Sequence, residues 1–322
     1  MNYEQAINHF FEVTAQLFSS VIFFNVLFFI DGVNFPFAVA WFLFAAIYLT
    51  IYFRFVNFRY FFHAIKITFG FYDTKKSVGE VSHLKALTTA LSGTVGLGNI
   101  AGVAIAIASG GPGATFWMIL CGLFGMSSKF AECTLAQMYR HVHKDGQVVG
   151  GAMIYLREGF RKYHYPKTGT FLSLLFAFLC ICGSFGGGGS FQVNQSMNAI
   201  SEILPWMKDY SWVYGLFIVV SVGLVVVGGI KRISNVAEKV VPIMCAIHIF
   251  MSLFILFQNY HLIPLAFSKI IYGAFSPEAM YGGFLGVMVQ GVRRAAFSNE
   301  AGMGSAAIVH SVAKTTHPVE EG

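Results

Sequence analysis

The sequence predicts an all-α protein that spans a membrane several times, and three observations predict it. Only 11% of the 322 residues are charged and 56% are hydrophobic, whereas an average soluble domain carries about 25% charged residues. The mean hydropathy is +0.65, and 35 phenylalanines suit lipid as solvent. The charges gather between charge-free windows, most of them close to the about 20 apolar residues that a helix needs to cross hydrocarbon. These properties exclude a cytosolic enzyme, a disordered chain and a secreted disulfide scaffold. The net charge of +6 comes without a basic patch interleaved with aromatics, so nucleic acid is not an expected partner.

The windows give the elements in order. Residues 13–30 are apolar but follow Glu4 and Glu12 with no Lys or Arg, which places them at the interface with an outside N-terminus. No basic region precedes them, so no cleavable signal peptide is expected. Residues 35–53 form the next window. Residues 86–128 are long enough for two passes, separated at Gly110-Gly111-Pro112-Gly113, a loop signal. The second pass continues beyond Lys129 and Glu132 towards Arg140. Further windows cover 168–201, 210–230, 240–268 and 279–292, the last resuming over 295–309 with Glu300 inside it.

Lys and Arg bias orients these spans. Residues 54–85 carry Arg54, Arg59, Lys66, Lys75, Lys76 and Lys85, and 129–167 is also basic, so both are read as cytoplasmic; Lys231, Arg232 and Lys239 fall on the same side. The segments 110–113, 202–209 and 259–278 are poor in positive charge and fall outside. The longest polar stretch, 140–167, reads as a loop. The five cysteines (Cys121, Cys133, Cys180, Cys182, Cys245) lack zinc or redox spacing and read as buried small hydrophobes.

Two spans are interrupted. In Leu91-Ser92-Gly93-Thr94-Val95-Gly96-Leu97-Gly98-Asn99, glycines cluster at mid-depth, and each interior Gly costs about 1 kcal/mol of helix stability relative to Ala. Unwound backbone at membrane depth is tolerated only where it is buried in protein or lines a cavity. Its freed carbonyls suit a cation, and the N–H groups opening the next half-helix suit an anion. A small-residue face for close helix packing is the competing reading. The G-x-x-G-x-G order lacks the context of a nucleotide-binding loop. Residues 290–305 make a second polar, glycine-bearing interruption five helices later, and paired interruptions in two halves point to a transporter's midplane site. Arg293, Arg294 and Glu300 there must pair, face a cavity or sit at the cytoplasmic edge.

Between the two, Gly186-Gly187-Gly188-Gly189 lets another backbone or a small ligand approach, and Gln192, Asn194 and Gln195 should face protein or solvent. His141-x-His143 reads as a solvated pair and His248 as a core histidine bonded to a carbonyl. Pro112 and Pro242 mark span ends. No nucleophile–base pair, metalloprotease motif or paired acid supports enzyme chemistry.

The stretches ALSGTVGLGNIAGVAIAIASGGPGATFW, KFAECTLAQMYR and RRAAFSNEAGMGSAAIVHSVAKTTHPVEEG resemble the signature regions of the alanine or glycine:cation symporters. The resemblance extends over nearly the whole chain. It implies the LeuT-type five-plus-five inverted repeat, with accessory helices in 1–84, a first repeat over 85–260 and the opening helix of the second in 277–322. Family chains continue with further helices, which implies that this sequence is a fragment or a truncated protein.

The resemblance further implies symport of sodium with alanine, glycine or a similar small neutral amino acid at the plasma (cell inner) membrane, with sodium as coupling ion and no other cofactor. Substrate contacts carry over to Asn99 and Gln192, and to Thr94, Gly96, Gly98, Gly187 and Phe297. Backbone carbonyls near Ser92 and Val95 are the implied sodium ligands. Two rivals stand beside this reading. One is a proton-coupled transporter of the same fold using Glu300 or His248; the other is a non-transporting membrane subunit that uses its glycines for packing.

Overall fold

The computed structural model of the chain describes residues 3–28, 34–74, 77–276 and 283–322. Helix α1 (Tyr3–Ile22) is followed by α2 (Phe37–Tyr52), the short α3 (Val56–Arg59) and α4 (Phe61–Thr68), then α5 (His83–Thr94) and α6 (Leu97–Gly110). Helix α7 (Gly113–Met138) leads into a small hairpin of β1 (His141–Val142) and β2 (Val148–Val149), antiparallel with His141 opposite Val149. Helices α8 (Ala152–Lys162) and α9 (Pro166–Gly183) follow, and a π-helical turn (Ser184–Ser190) joins α9 to α10 (Phe191–Ile203). The chain continues through α11 (Ser211–Val226), α12 (Gly229–Gln258), α13 (Ile263–Phe275), α14 (Gly283–Asn299) and α15 (Ser305–His310).

Four helical stretches among the described residues are long and apolar enough to cross a membrane: His83–Gly110, Gly113–Tyr139, Pro166–Ile203 and Gly229–Gln258. Helices α2 and α11 are apolar but have 16 residues each, which rise about 24 Å against a hydrocarbon core of about 30 Å.

Helix α7 is the centre of the bundle, with α2, α6, α13 and α14 against it. The core there holds Val39, Ala106, Ala114, Trp117, Cys121, Ala274, Val287 and Val292. Small residues allow the close approach that packing in lipid rewards. A Cβ added at Gly113 would lie 2.2 Å from the carbonyl carbon of Gly273, and one at Gly291 would lie 2.6 Å from the Cβ of Trp117. The Trp117 indole donates to the Ala274 carbonyl at 3.2 Å.

Several sequence expectations need correction. The stretch 140–167 is not a plain loop: it folds into the β-hairpin and α8, whose apolar side buries Ala152 and Ile154. The window 240–268 divides, because α12 ends at Gln258 and α13 occupies what was read as an outer loop. Pro264 at the first turn of α13, where a missing N–H costs nothing, marks that start. Pro242 lies inside α12 rather than at a span end. The apolar N-terminal stretch is helical only to Ile22; the remainder to Phe28 is irregular, and Ile30 lies outside the described residues. Lys75, Lys76 and 277–282, including Glu278 and the start of the window at 279, are also outside them.

Two burial expectations fail as well. Cys121 and Cys133 are buried, but Cys180 and Cys245 are half-buried and Cys182 is exposed. His248 is exposed on α12, not in a core. Both follow from apolar outer faces: in a membrane chain, apolar sequence does not mean buried in protein.

At the end of the bundle that carries Lys85 and Arg140, residues 311–317 lie across α5 and α7. Val78 bridges Thr315 and Val81 bridges Ala313. The Arg140 guanidinium donates to the carbonyls of Ser311 (2.9 Å), Ala313 (2.7 Å) and Val78 (2.7 Å). Burial pulls this guanidinium below its ordinary range, against the opposing pull of Glu321. A second core of Val81, Ala86, Val148, Val312 and Ala313 closes beneath this segment.

Candidate functional site between the two broken helices

Helix α5 stops at Thr94. Val95 is extended (φ −87°, ψ 99°), as is Gly96 (φ −164°, ψ −146°), and α6 begins at Leu97. A helix end leaves its last four carbonyls and the next helix's first N–H groups without intrahelical partners. The break therefore presents carbonyls from Ser92 to Val95 on one side and the N–H groups of Leu97 and Gly98 on the other, the Asn99 N–H being held by the Gly96 carbonyl at 3.1 Å. The side chains of α5 do not fill this gap. Ser92 Oγ donates to the Thr89 carbonyl (2.6 Å), Thr94 Oγ1 to Ala90 (2.9 Å), and Thr88 and Thr89 donate within the same helix.

The second interruption is a break too. Helix α14 ends at Asn299, Glu300, Gly302 and Gly304 take positive φ (50°, 81° and 77°), and α15 restarts at Ser305. The left-handed conformation suits the glycines and is a cost at Glu300. Glu300 accepts from Ser305 Oγ at 2.7 Å. From α7, the buried Glu132 reaches the same turn and accepts the Gly304 N–H at 3.2 Å. An acid inside an apolar pass was its signal in the sequence, though not its partner.

The two breaks meet. A Cβ added at Gly98 would lie 3.0 Å from Ser298 Cα and 3.6 Å from the Phe297 ring. The Asn99 amide oxygen accepts a hydrogen bond from Ser298 Oγ. Gln192, one residue into α10, faces the same gap: its amide nitrogen is 3.4 Å from where a Gly96 Cβ would stand. Phe191 and Phe297 pack edge to face, ring centroids 5.9 Å apart, and Phe297 remains 42% exposed. Gly96, Gly98, Asn99, Gln192 and Phe297 thus converge, with Thr94, Val95 and Ser92 on the α5 side of the gap.

Ser298 and Phe191 belong to this cluster and were not read from the sequence; each stands beside a residue that was. The glycine run behaves differently. Among the described residues no neighbouring element comes within 4 Å of a Cβ at Gly186 or Gly188, and at Gly189 the neighbour is Ser184 O of the same π turn. Gly187 lies in that turn. Among the described residues Arg293 and Arg294 form no ion pair with Glu300; the Arg293 guanidinium lies 5.1 Å from the Phe23 ring centroid. His141 is exposed and stands 3.7 Å from Glu158, and no group of three or more His, Cys, Asp or Glu side chains is placed to hold a metal ion among the described residues. The ligands offered at the first break are carbonyl oxygens, which suit a hard cation better than a soft one.

Two broken helices that meet within an apolar helical bundle are the arrangement that marks integral membrane transporters as a class. The sodium:alanine symporter family model matches residues 21–322, and the chain belongs to this family, a family of transporters rather than enzymes. It is 37% identical over 287 residues to the sodium/alanine symporter AgcS of Methanococcus maripaludis, covering 88% of this chain and 61% of that protein. It is 36% identical over 270 residues to the putative sodium/proton-dependent alanine carrier protein YrbD of Bacillus subtilis, covering 84% and 53%. To the probable sodium/glutamine symporter GlnT of the same organism it is 37% identical over 251 residues, covering 77% and 50%. The chain thus spans between half and three-fifths of the length of these relatives.

Proposed function

We propose that this chain forms the substrate-binding half of a sodium-coupled symporter for a small neutral amino acid, alanine or glycine, in the plasma membrane. The observation that carries it is the convergence of Gly96, Gly98 and Asn99 of the first break with Gln192 and with Phe297 and Ser298 of the second. In this reading residues 85–260 are the first inverted repeat and 277–322 open the second, after accessory helices in 1–84. The amino acid's carboxylate meets N–H groups at the start of α6, where the helix dipole favours an anion. Its ammonium group meets carbonyls of the break and the Gln192 amide oxygen, and Phe297 limits the room for a side chain. Sodium is held by the carbonyls of Ser92 and Val95.

The experiment is uptake of labelled alanine and glycine into proteoliposomes carrying the full-length protein, with an inward sodium gradient or an inward proton gradient. Accumulation that follows the sodium gradient supports the reading. Accumulation driven by the proton gradient alone transfers the coupling role to a titratable group such as Glu300, and none under either gradient removes the transport reading.

A further inference from the structure

One carboxylate near the end of the chain ties together elements far apart in sequence. Glu321, 8% exposed, accepts from His83 Nδ1 at the first residue of α5 and from His310 Nδ1 at the end of α15, the latter at 2.6 Å. The other nitrogen of His83 is 3.4 Å from Asp73 Oδ1. Only an imidazolium carries a donor on both nitrogens, so the doubly protonated ring fits between these two carboxylates. Among the described residues the further ionisable neighbours are Cys133 of α7, Arg140 just past the end of α7, and Glu320 beside Glu321 itself.

The other end of α5 is the break at Val95 and Gly96, so this short helix is hinged at one end and pinned at the other. On its far side Lys85 donates to Asn235 (2.8 Å) and stands 3.5 Å from Glu238, both on α12. Glu321 is thus a joint between α5 with α12 on one side and α7 with α15 on the other. A second joint lies next to it: Glu80 accepts from the Val148 N–H at 2.8 Å and stands 3.4 Å from Lys231.

We propose that Glu321, with His83 and His310, is a pH-sensitive latch that pins α5 and closes the site between the breaks from the cytoplasmic side. The proposal rests on the orientation and site given under Proposed function. The two contacts of His83, with Glu321 and with Asp73, are both made while its ring carries a proton on each nitrogen. Loss of one His83 proton as cytoplasmic pH rises removes the charge of that ring, leaves it a donor on one nitrogen only and loosens α5. Charge-assisted bonds of this kind are the stronger class of hydrogen bond.

The test reads accessibility and needs no transport, so failure of the transport reading and failure of the latch are distinguishable. In the full-length protein with its native cysteines replaced, Ala86→Cys reports from under the latch, where Ala86 packs with Val312 and Ala313. Lys144→Cys, in the exposed hairpin turn, gives the intrinsic reactivity at each pH. Inside-out vesicles are labelled with an impermeant maleimide. Glu321→Gln should raise normalised labelling at position 86 by about tenfold, the factor that one charge-assisted hydrogen bond supplies. Glu321→Asp should restore part of the protection. Burial lowers the His83 imidazole, but the hydrogen bond and charge of Glu321 and the charge of Asp73 outweigh it and hold the ring above its ordinary range. Raising pH from about 6 through and beyond that range should therefore raise labelling in the parent and not in Glu321→Gln. Ala114→Cys, in the core around Trp117, should stay unlabelled throughout. Unchanged labelling in Glu321→Gln, a pH response that survives in it, or a rise at position 114 equal to that at 86 would each overturn the latch.

Discussion

The hydroxyl of Ser298 donates to the amide oxygen of Asn99, across 199 residues of chain, and through this bond the two broken helices touch. Both partners sit beside backbone that has left the helical ladder. Truncating either one removes a contact that ties the two interruptions together. In a double-mutant cycle, Asn99→Ala and Ser298→Ala should couple by about 1 kcal/mol when unfolding is measured in mild detergent. Strict additivity would show that the two side chains do not depend on each other.

Gly98 leaves space that a side chain would take from Ser298 Cα, an atom of backbone that cannot rotate away. Gly98→Leu should abolish sodium-driven alanine uptake in the full-length protein while surface expression stays near normal. Gly98→Ala should keep a fraction of it, because its single methyl needs only a few tenths of an ångström. Full uptake by the leucine variant would assign this glycine to helix packing alone.

The orientation is read from Lys and Arg, and the hairpin turn between β1 and β2 offers a clean probe. Lys144→Cys in a cysteine-free background should react with an impermeant maleimide in inside-out vesicles and not in intact cells. Labelling on intact cells would invert the whole arrangement of loops.

Glu320 gives a pH dependence with a definite sign. Burial pushes its carboxyl up, but hydrogen bonds from Thr315, Thr316 and the His317 backbone outweigh this and bring it down from 4.5 to about 2. A depressed carboxylate stabilises the fold fully above its unfolded pKa, and that contribution fades as pH falls through the folded value. The unfolding temperature of Glu320→Gln should therefore lie below the parent's at pH 7, and the gap should close between about pH 4.5 and about pH 2. A constant gap over that range would mean the bonds do not require the charge.

Much of this arrangement is legible in the residues. Both breaks lie where glycines enter apolar passes, because the cost of an interior Gly is local and needs no knowledge of partners. The loop Gly110-Gly111-Pro112-Gly113 separates α6 from α7 for the same reason. Helix α13 was hidden because Lys269 and a start next to the polar Asn259 made its stretch look like a loop. The glycine run was read as room for a close approach; among its described residues it instead lies in a π-helical turn, and nothing local in four glycines distinguishes approach from altered winding. His83 and Glu321 stand 238 residues apart, and neither periodicity nor spacing announces a pair that only the folded bundle creates. His248 illustrates the opposite limit, since hydropathy records that a segment is apolar but not which way each residue turns.

The hydroxyls of α5 carry one more consequence. Thr88, Thr89, Ser92 and Thr94 all hand their protons to carbonyls of their own helix, so none of them is owed a bond by a neighbour. A polar helix of this kind travels with its needs already met. It can exchange one set of contacts for another without passing through a state that leaves a donor stranded in hydrocarbon. The doubled load on those carbonyls also slackens the helix and favours bending. If α5 moves as the proposed function requires, self-sufficiency lowers the toll of each passage more than tight attachment would.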